Sequence, residues 1–288
     1  MSELRRAGRR TTRRTYPPDT AIRLLGALAT ICLICCTALA GTTYGGPRDP
    51  YDYAARQRLV ANARKTGDFA SALYHAGWLA WLAPRKYAEP AEAVLEDRQI
   101  ADRARRAAQD DPVAVALLAL DARRARRDVW LSGRVPSQAP LRQERIATLV
   151  AQAEAVQAQL DRPDPVMRMA LAELYLTLDD VIALRADPAR AKERRKVLRQ
   201  AVAAAESVTQ TLPDAPGAYR ALALARARLA DLDNDPEEWD LAITACAHAV
   251  SPDPDDQALC ELMWSLHLRA GHWEEAKRWQ RRCETNHR

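Results

Sequence analysis

Apolar residues recur at helical spacing along the chain from Asp49 onwards, in segments separated by Pro and Asp-Pro pairs. No segment of useful length alternates apolar and polar residues as a strand would. Several segments open on Asp or Asp-Pro, residue types that cap or begin helices. The pattern therefore predicts an all-α body, with helices at about 50–65, 68–82, 90–109, 112–131, 140–160, 164–184, 187–211, 215–232, 236–250, 255–270 and 272–285.

A separate apolar run precedes this body, since residues 24–40 carry no charge. A helix over the run would span about 26 Å, or about 32 Å if it continued to Tyr44, which suffices for a bilayer core of about 30 Å. Arginines cluster only before the run, and positive residues stay on the cytoplasmic side. We expect an Arg-rich cytoplasmic tail (1–22), a single-pass inner-membrane anchor (23–44) and an exported, periplasmic helical domain (45–288).

A cleaved signal peptide is the alternative interpretation of the same run. Ala38–Leu39–Ala40 has the Ala-x-Ala form of a cleavage site and lies at the end of the apolar segment. Cleavage after Ala40 would release the body as a secreted protein. Both interpretations export the body, and the choice between them stays open.

Composition supports the helical prediction, and the distribution of charge excludes one class of function. Phe occurs once and Gly 10 times, which is unlike a sandwich or barrel. The net charge of +5 arises within residues 1–47, which contain seven arginines and two acids. The remaining residues hold 36 basic and 36 acidic side chains. Because the body has no basic excess, we expect no nucleic-acid partner.

A spacing of small residues repeats along the body and indicates internal repeats. In each instance two small residues lie four apart, a third position follows three later, and a Pro follows five after that. The instances are Ala72, Ala76, Leu79 and Pro84; Ala201, Ala205, Val208 and Pro213; and Ala242, Cys246, Ala249 and Pro254, the last followed by Gly271, Trp273 and Ala276.

The body thus resembles the tetratricopeptide-repeat (TPR) family over about 53–84 and 201–288, and more weakly over 165–179. No repeat signature covers 88–160, where longer helices are expected. The resemblance implies an α-solenoid of TPR-like helical hairpins, each of which buries its open face on the next.

The resemblance also implies a concave groove, lined by the first helix of each repeat, that binds an extended segment or a helix of a partner protein. Lys65, Arg228 and Arg269 share one repeat position, and a row of cations would favour an acidic segment or a C-terminal carboxylate. Solvated charges on an ordinary helix surface are the alternative. The inward positions are Gln57, Arg64 and Lys65; Arg220, Leu224 and Arg228; and Glu261, Ser265 and Arg269.

Two cysteines of the body are candidates for a disulfide. Cys246 and Cys260 lie seven residues before and after Asp253, so a hairpin turning there would bring them side by side. An exported domain meets oxidising conditions, which favour the bond. Buried free thiols are the alternative, because both positions are packing positions of the repeat.

No metal-binding or catalytic signature is present in the sequence. His248, His267, His272 and His287 lack the paired spacing of structural zinc sites. A Gly-rich phosphate loop, a nucleophile elbow and a His-Glu-x-x-His motif are all missing. We therefore expect no enzyme activity, no cofactor, no metal and no small-molecule substrate.

The leading functional hypothesis is a membrane-anchored scaffold or adaptor that recruits or organises proteins of a cell-envelope complex through the groove. The alternative is a permanent structural subunit of a larger membrane assembly.

Overall fold

A computed structural model of the chain describes residues 44–107, 112–131, 139–159, 164–183 and 188–286, and the folded body is the unit Gly46–Arg288. The expected tail and anchor lie outside the described residues, apart from Tyr44. No helix in the described ranges combines the length and the apolarity needed to cross a bilayer.

The described residues form α-helices and one short 3-10 turn, without a strand, which confirms the all-α prediction. Most helix ends fall within three residues of the predicted ones because Asp and Pro mark them. The helices are α1 Tyr53–Thr66, α2 Phe69–Leu82, α3 Arg85–Glu96, α4 Arg98–Ala107, α5 Pro112–Leu131, α6 Ala139–Gln159, α7 Pro165–Ala183, α8 Ala191–Thr211 (after the turn Pro188–Arg190), α9 Pro216–Asp233, α10 Pro236–Val250, α11 Gln257–Arg269 and α12 Trp273–Asn286.

One helix prediction was wrong, since the segment expected to be a single helix at 90–109 is covered by the end of α3 and by α4. Asp97 separates them: its backbone is extended, and its carboxylate accepts hydrogen bonds from the N–H groups of Gln99 at 2.9 Å and Ile100 at 3.3 Å. A side chain that satisfies these N–H groups starts a new helix. Pro90, which was expected near a helix start, lies inside α3.

Side-chain caps define several other helix starts. Asp52, Asp68, Asp235 and Asp256 each accept a hydrogen bond from a backbone N–H in the first turn of α1, α2, α10 and α11, at 2.8 to 3.1 Å. Such a cap contributes typically about 1 kcal/mol. Gly67 ends α1 with a φ of 78°, a left-handed conformation that favours glycine. The sequence therefore encodes the first hairpin locally.

Helix α2 is the centre of the body. It packs against α1, α3, α4, α5, α7 and α9, and Leu73, Leu79 and Leu82 are almost fully buried. Its last turn touches the start of α9 at Gly217, where a β-carbon would lie 1.8 Å from the carbonyl oxygen of Trp81. A simple row of hairpins has contacts only between neighbours. Here the first hairpin also packs against helices far along the chain.

The C-terminal half consists of three consecutive helix pairs, α7–α8, α9–α10 and α11–α12, and each pair packs on the next. Small residues lie where the helices meet: Ala201 and Ala205 in α8, and Ala242 and Cys246 in α10, have at most 1% of their surface exposed. These positions belong to the repeated spacing of the sequence. The spacing thus marks close helix contacts, as small residues at that interval would allow.

The stretch without a repeat signature, 88–160, is also helical wherever it is described. Its helices α4, α5 and α6 contribute Ile100, Val113 and Ile146 to the core, each at most 4% exposed. Helix α5 packs against α6 and α7, and also against α2 and α4. This region therefore connects the first hairpin to the C-terminal pairs.

Candidate partner-binding cavity

A cavity of about 290 Å³ lies where the end of α2, the start of α3, the inner faces of α7 and α9, and the loop before α11 meet. Its lining mixes apolar and charged side chains. The lining residues are Ala80, Trp81, Ala83, Pro84, Arg85, Ala88, Glu92, Met169, Glu173, Leu176, Pro216, Gly217, Arg220, Ala221, Leu224, Arg228, Ala249, Asp253, Asp256 and Leu259.

Helix α9 forms one wall of the cavity. Pro216 occupies the first turn of the helix, and Gly217 allows that turn to rest on the backbone of α2. Arg220, Leu224 and Arg228 then follow at intervals of four residues, which places them on one helix face, and all three line the cavity. These are the inward positions expected for this helix. Their role in binding a partner stays a prediction.

The other expected groove residues lie outside this cavity lining. Gln57, Arg64 and Lys65 are exposed on α1, the last two in its final turn. Glu261 is exposed on α11 and accepts a hydrogen bond from Gln257 at 2.7 Å. The structure therefore brings together the α9 set but does not join it with the α1 and α11 sets in one cavity.

Arg228 is held by groups of its own chain. Its guanidinium donates to the carbonyl oxygen of Leu176 at 3.0 Å and pairs with Asp180 at 3.0 Å and Asp179 at 3.4 Å. Asp179 is 1% exposed and accepts two further bonds from Arg194, at 2.7 and 3.2 Å. This cluster joins α7, α8 and α9. Removing one partner of such a buried pair typically costs about 3–5 kcal/mol, so Arg228 has a structural role.

Arg269 is likewise engaged within the chain. It pairs with Asp231 at 2.7 Å, and its guanidinium lies 5.5 Å from the ring centre of Trp239. Partial burial raises the pKa of Asp231, while the charge of Arg269 opposes that shift. The row of Lys65, Arg228 and Arg269 that motivated an acidic partner thus contains two arginines already paired with carboxylates.

Sequence reasoning missed several charged groups of the cavity. Glu173 is half-buried on α7, and Asp253 is half-buried in the loop before α11. Asp256 caps α11 through the N–H of Leu259. Arg85 pairs with Glu89 at 2.8 Å, and this carboxylate raises the pKa of the arginine. The Asp-Pro pattern signalled a loop at Asp253, but nothing local indicated that the loop faces α7.

A second polar cluster lies in the core beneath α1. Arg56, 5% exposed, lies over the ring of Trp78 at 4.0 Å, and its Nη1 is 3.2 Å from Nδ1 of His75. Burial and the nearby guanidinium lower the pKa of His75 to about 4, so the imidazole is neutral and accepts this bond. The arrangement ties α1 to α2, and both polar side chains are buried.

An adjacent hydrogen bond ties α2 to α7. The hydroxyl of Tyr74 donates to Asp164 at 2.8 Å, and the same carboxylate accepts from the N–H of Val166 at 2.8 Å. Asp164 is 7% exposed, and burial raises its pKa despite these bonds. Both polar clusters are structural, because each joins buried side chains of neighbouring helices.

Cys246, Cys260 and Cys283 are buried free thiols in the structure. The sulfur of Cys246 faces the carbonyl oxygen of Leu259 at 4.0 Å, and that of Cys260 faces Pro254 at 3.5 Å. Burial raises the pKa of the Cys246 thiol to about 12. The expected disulfide between Cys246 and Cys260 is not formed in this structure and stays a prediction about the oxidised protein.

Of the histidines considered for a metal site, His267 is buried in the structure, whereas His248 and His272 are exposed. His267 is 8% exposed, and its ring lies 5.7 Å from that of His272. His248 stacks on Tyr219 at 4.8 Å, and His287 lies outside the described residues. Within the described ranges, no three His, Cys, Asp or Glu side chains are grouped as a metal ion would require.

Comparison with known proteins adds no relative: no family model matches the chain, and no curated protein matches it.

Proposed function

We propose that this protein is a membrane-anchored scaffold that recruits or organises proteins of a cell-envelope complex, and that the cavity of α7 and α9 holds a segment of its partner. The observation that carries the proposal is the wall formed by α9, where exposed Arg220 and half-buried Leu224 border a cavity formed by helices from both halves of the body. A mixed apolar and polar lining is typical of sites that take a few side chains of another protein.

The TPR-like character of the body is part of this proposal. Its support is the repeated spacing whose members Ala205, Cys246 and Ala249 are fully buried at helix contacts, together with the consecutive pairing of α7 to α12. TPR-like hairpins bind partners on the surface formed by their first helices, which corresponds to α7, α9 and α11 here. Arg220 and Leu224 lie on such a helix.

The proposed location follows from the sequence. The uncharged run 24–40 and the arginines that precede it favour an anchor at 23–44 with the body in the periplasm. An anchored scaffold needs less affinity for a partner in the same membrane, because the anchor raises the local concentration of both proteins. Cleavage after Ala40 would give a secreted scaffold instead.

Leu224 on the cavity wall offers a direct test. We would purify the full-length protein in mild detergent, identify the proteins that accompany it by mass spectrometry, and repeat this with Leu224→Asp. Leu224 is half-buried on the cavity wall, so the charge should remove a partner bound there. Leu241→Asp is the matched control because Leu241 is 46% exposed on α10 and does not line the cavity.

The proposal expects Leu224→Asp to lose a partner that Leu241→Asp retains, with both variants showing the helical circular dichroism of the parent. Equal retention by both variants would contradict a partner in this cavity. Loss from both would place the contact elsewhere or in the fold as a whole, and would also count against the proposal.

A permanent structural subunit is the second candidate, and the C-terminal end of the body favours it. Trp273 is 61% exposed and Leu268 is 38% exposed, and exposed apolar surface at this end is where a neighbouring subunit would pack. Companions that remain in fixed stoichiometry at high salt would favour this candidate. A complex that dissociates as salt is raised would favour the recruiting scaffold.

A further inference from the structure

The charges that line the cavity are unequal in number. Four carboxylates line it, those of Glu92, Glu173, Asp253 and Asp256, against three arginines. The inequality alone does not decide what the cavity binds, because some of these groups are neutralised by residues outside the lining.

Two of the three arginines have carboxylate partners outside the lining. Arg228 pairs with Asp179 and Asp180, and Arg85 pairs with Glu89. Asp179 is in turn shared with Arg194, so this cluster of two arginines and two aspartates is neutral as a whole. Glu92 and Asp256, two of the four lining carboxylates, also raise the pKa of Arg85 through their charge.

Arg220 is therefore the one lining cation for which the described residues supply no carboxylate partner. Within the same part of the chain, no Lys or Arg side chain pairs with the carboxylates of Glu173 and Asp253. The charge that remains is negative. A partly enclosed site focuses such a field more strongly than an open surface and screens it less.

We propose, resting on the scaffold function above, that the cavity receives a basic extended segment of a partner protein. A Lys or Arg side chain of that segment lies against Glu173 and Asp253, and a neighbouring apolar side chain packs on Leu176 and Leu224. The preference is the reverse of the acidic segment that the row of Lys65, Arg228 and Arg269 had suggested, because Arg228 and Arg269 are paired within the chain.

The size of the cavity agrees with a segment rather than a folded element. Pockets that enclose small molecules span about 300–1,000 Å³, so a volume of about 290 Å³ lies just below that range. It accommodates a few side chains of an extended strand, whereas a whole helix is about 10–12 Å wide with its side chains.

Two labelled peptides test the charge preference. Each is a twelve-residue chain of Ala, Gly and Ser with a central Lys-Leu-Lys or Glu-Leu-Glu, and binding to the full-length protein in detergent is followed by fluorescence anisotropy. We expect the Lys probe to bind about tenfold or more tightly than the Glu probe at the cavity. The double variant Glu173→Gln/Asp253→Asn should weaken the Lys probe about tenfold.

The matched control is the double variant Glu144→Gln/Asp240→Asn, which removes the same charge from exposed positions outside the lining and should leave the binding of the Lys probe unchanged. The Arg-rich segment 1–22 attracts the Glu probe without involving the cavity, and binding of that kind is insensitive to Arg220→Gln. Circular dichroism confirms that each variant keeps its helices.

Three results would overturn the inference. The first is binding of the Lys probe that Glu173→Gln/Asp253→Asn does not weaken. The second is tighter binding of the Glu probe that Arg220→Gln abolishes, and the third is no binding of either probe up to millimolar concentration. Photo-crosslinking in cells from Leu224→p-benzoylphenylalanine distinguishes failure of the basic-segment inference from failure of the proposed scaffold function. If the crosslinked protein contacts the cavity through an acidic or uncharged segment, the proposed scaffold function stands, and the proposed preference for a basic segment is overturned. Absence of any crosslinked protein counts against both.

Discussion

Trp81 and Gly217 touch through their backbones, since the carbonyl oxygen of Trp81 lies 1.8 Å from the position that a β-carbon of Gly217 would take. The contact joins the last turn of α2 to the first turn of α9, and both residues line the cavity. The shape of the cavity therefore depends on the absence of a side chain at one position.

Gly217→Ala should destabilise the body, because its methyl group cannot fit without moving one backbone from the other. We expect a loss of about 1–3 kcal/mol or more in the free energy of unfolding, as for other overpacked sites. Chemical denaturation followed by circular dichroism measures it. Gly45→Ala is the control, since among the described residues other than its chain neighbours no atom lies within 4 Å of the added carbon. An equally stable Gly217→Ala would mean that α2 and α9 are not in this contact.

Asp179→Asn should be strongly destabilising, because the substitution leaves Arg194 and Arg228 without their shared buried carboxylate. The expected loss is on the order of 3 kcal/mol. The exposed pair of Glu274 and Lys277 provides the comparison: Glu274→Gln should leave the denaturation midpoint unchanged. Similar midpoints for the two variants would show that the cluster of α7, α8 and α9 contributes little.

Stability should fall in mild acid through His75. Its pKa is about 4 in the folded protein and about 6.5 in an unfolded chain, so unfolding takes up a proton between these values. The neutral imidazole therefore contributes stability that is fully present above about pH 6.5 and is lost as the pH falls towards 4, by up to about 3 kcal/mol.

His75→Gln isolates this effect, because a side-chain amide can still accept from Arg56 but does not titrate. The measurement is the denaturation midpoint of both proteins at intervals between pH 7.5 and 4.5. We expect the midpoint of the parent to fall more steeply than that of the variant. Parallel curves would contradict a neutral, buried His75.

The three cysteines of the body should resist alkylation while the protein is folded. Cys246 and Cys260 have no exposed surface, and burial raises the pKa of both thiols, so little reactive thiolate is present at pH 8. Mass spectrometry after iodoacetamide treatment, with and without denaturant, measures this. Free thiols become modified on unfolding, whereas a disulfide between Cys246 and Cys260 protects both until reductant is added. Rapid modification of the native protein would contradict their burial.

The sequence was sufficient for the helices wherever a local cap defines them. Helices α5 and α10 cover the predicted ranges 112–131 and 236–250. Their starts were predictable because an Asp-Pro pair opens each of them in the sequence. The break at Asp97 was missed because a single aspartate there lacks the accompanying Pro or Gly. Local signals therefore predicted which segments are helical better than where a long one divides.

The candidate site was predictable only in part, for a related reason. The repeat spacing gave the phase of α9, and with it Arg220, Leu224 and Arg228. The ion pairs of Arg228 depend on how α7 and α8 approach α9, and the position of Glu173 opposite α9 depends on the same packing. Such contacts join residues far apart in sequence and have no local pattern, so the paired state of Arg228 came only from the structure.

The contact between the last turn of α2 and the first turn of α9 also limits where helices can be inserted into or deleted from a body of this kind. A row of hairpins with only neighbouring contacts can gain or lose a unit anywhere and still stack. In this chain, the helices between α2 and α9 set the distance at which Trp81 meets Gly217, so a unit inserted or deleted among them would separate the two. Hairpins added after α12 would leave that contact intact. Variation in length among descendants of such a chain should therefore accumulate at the C-terminal end.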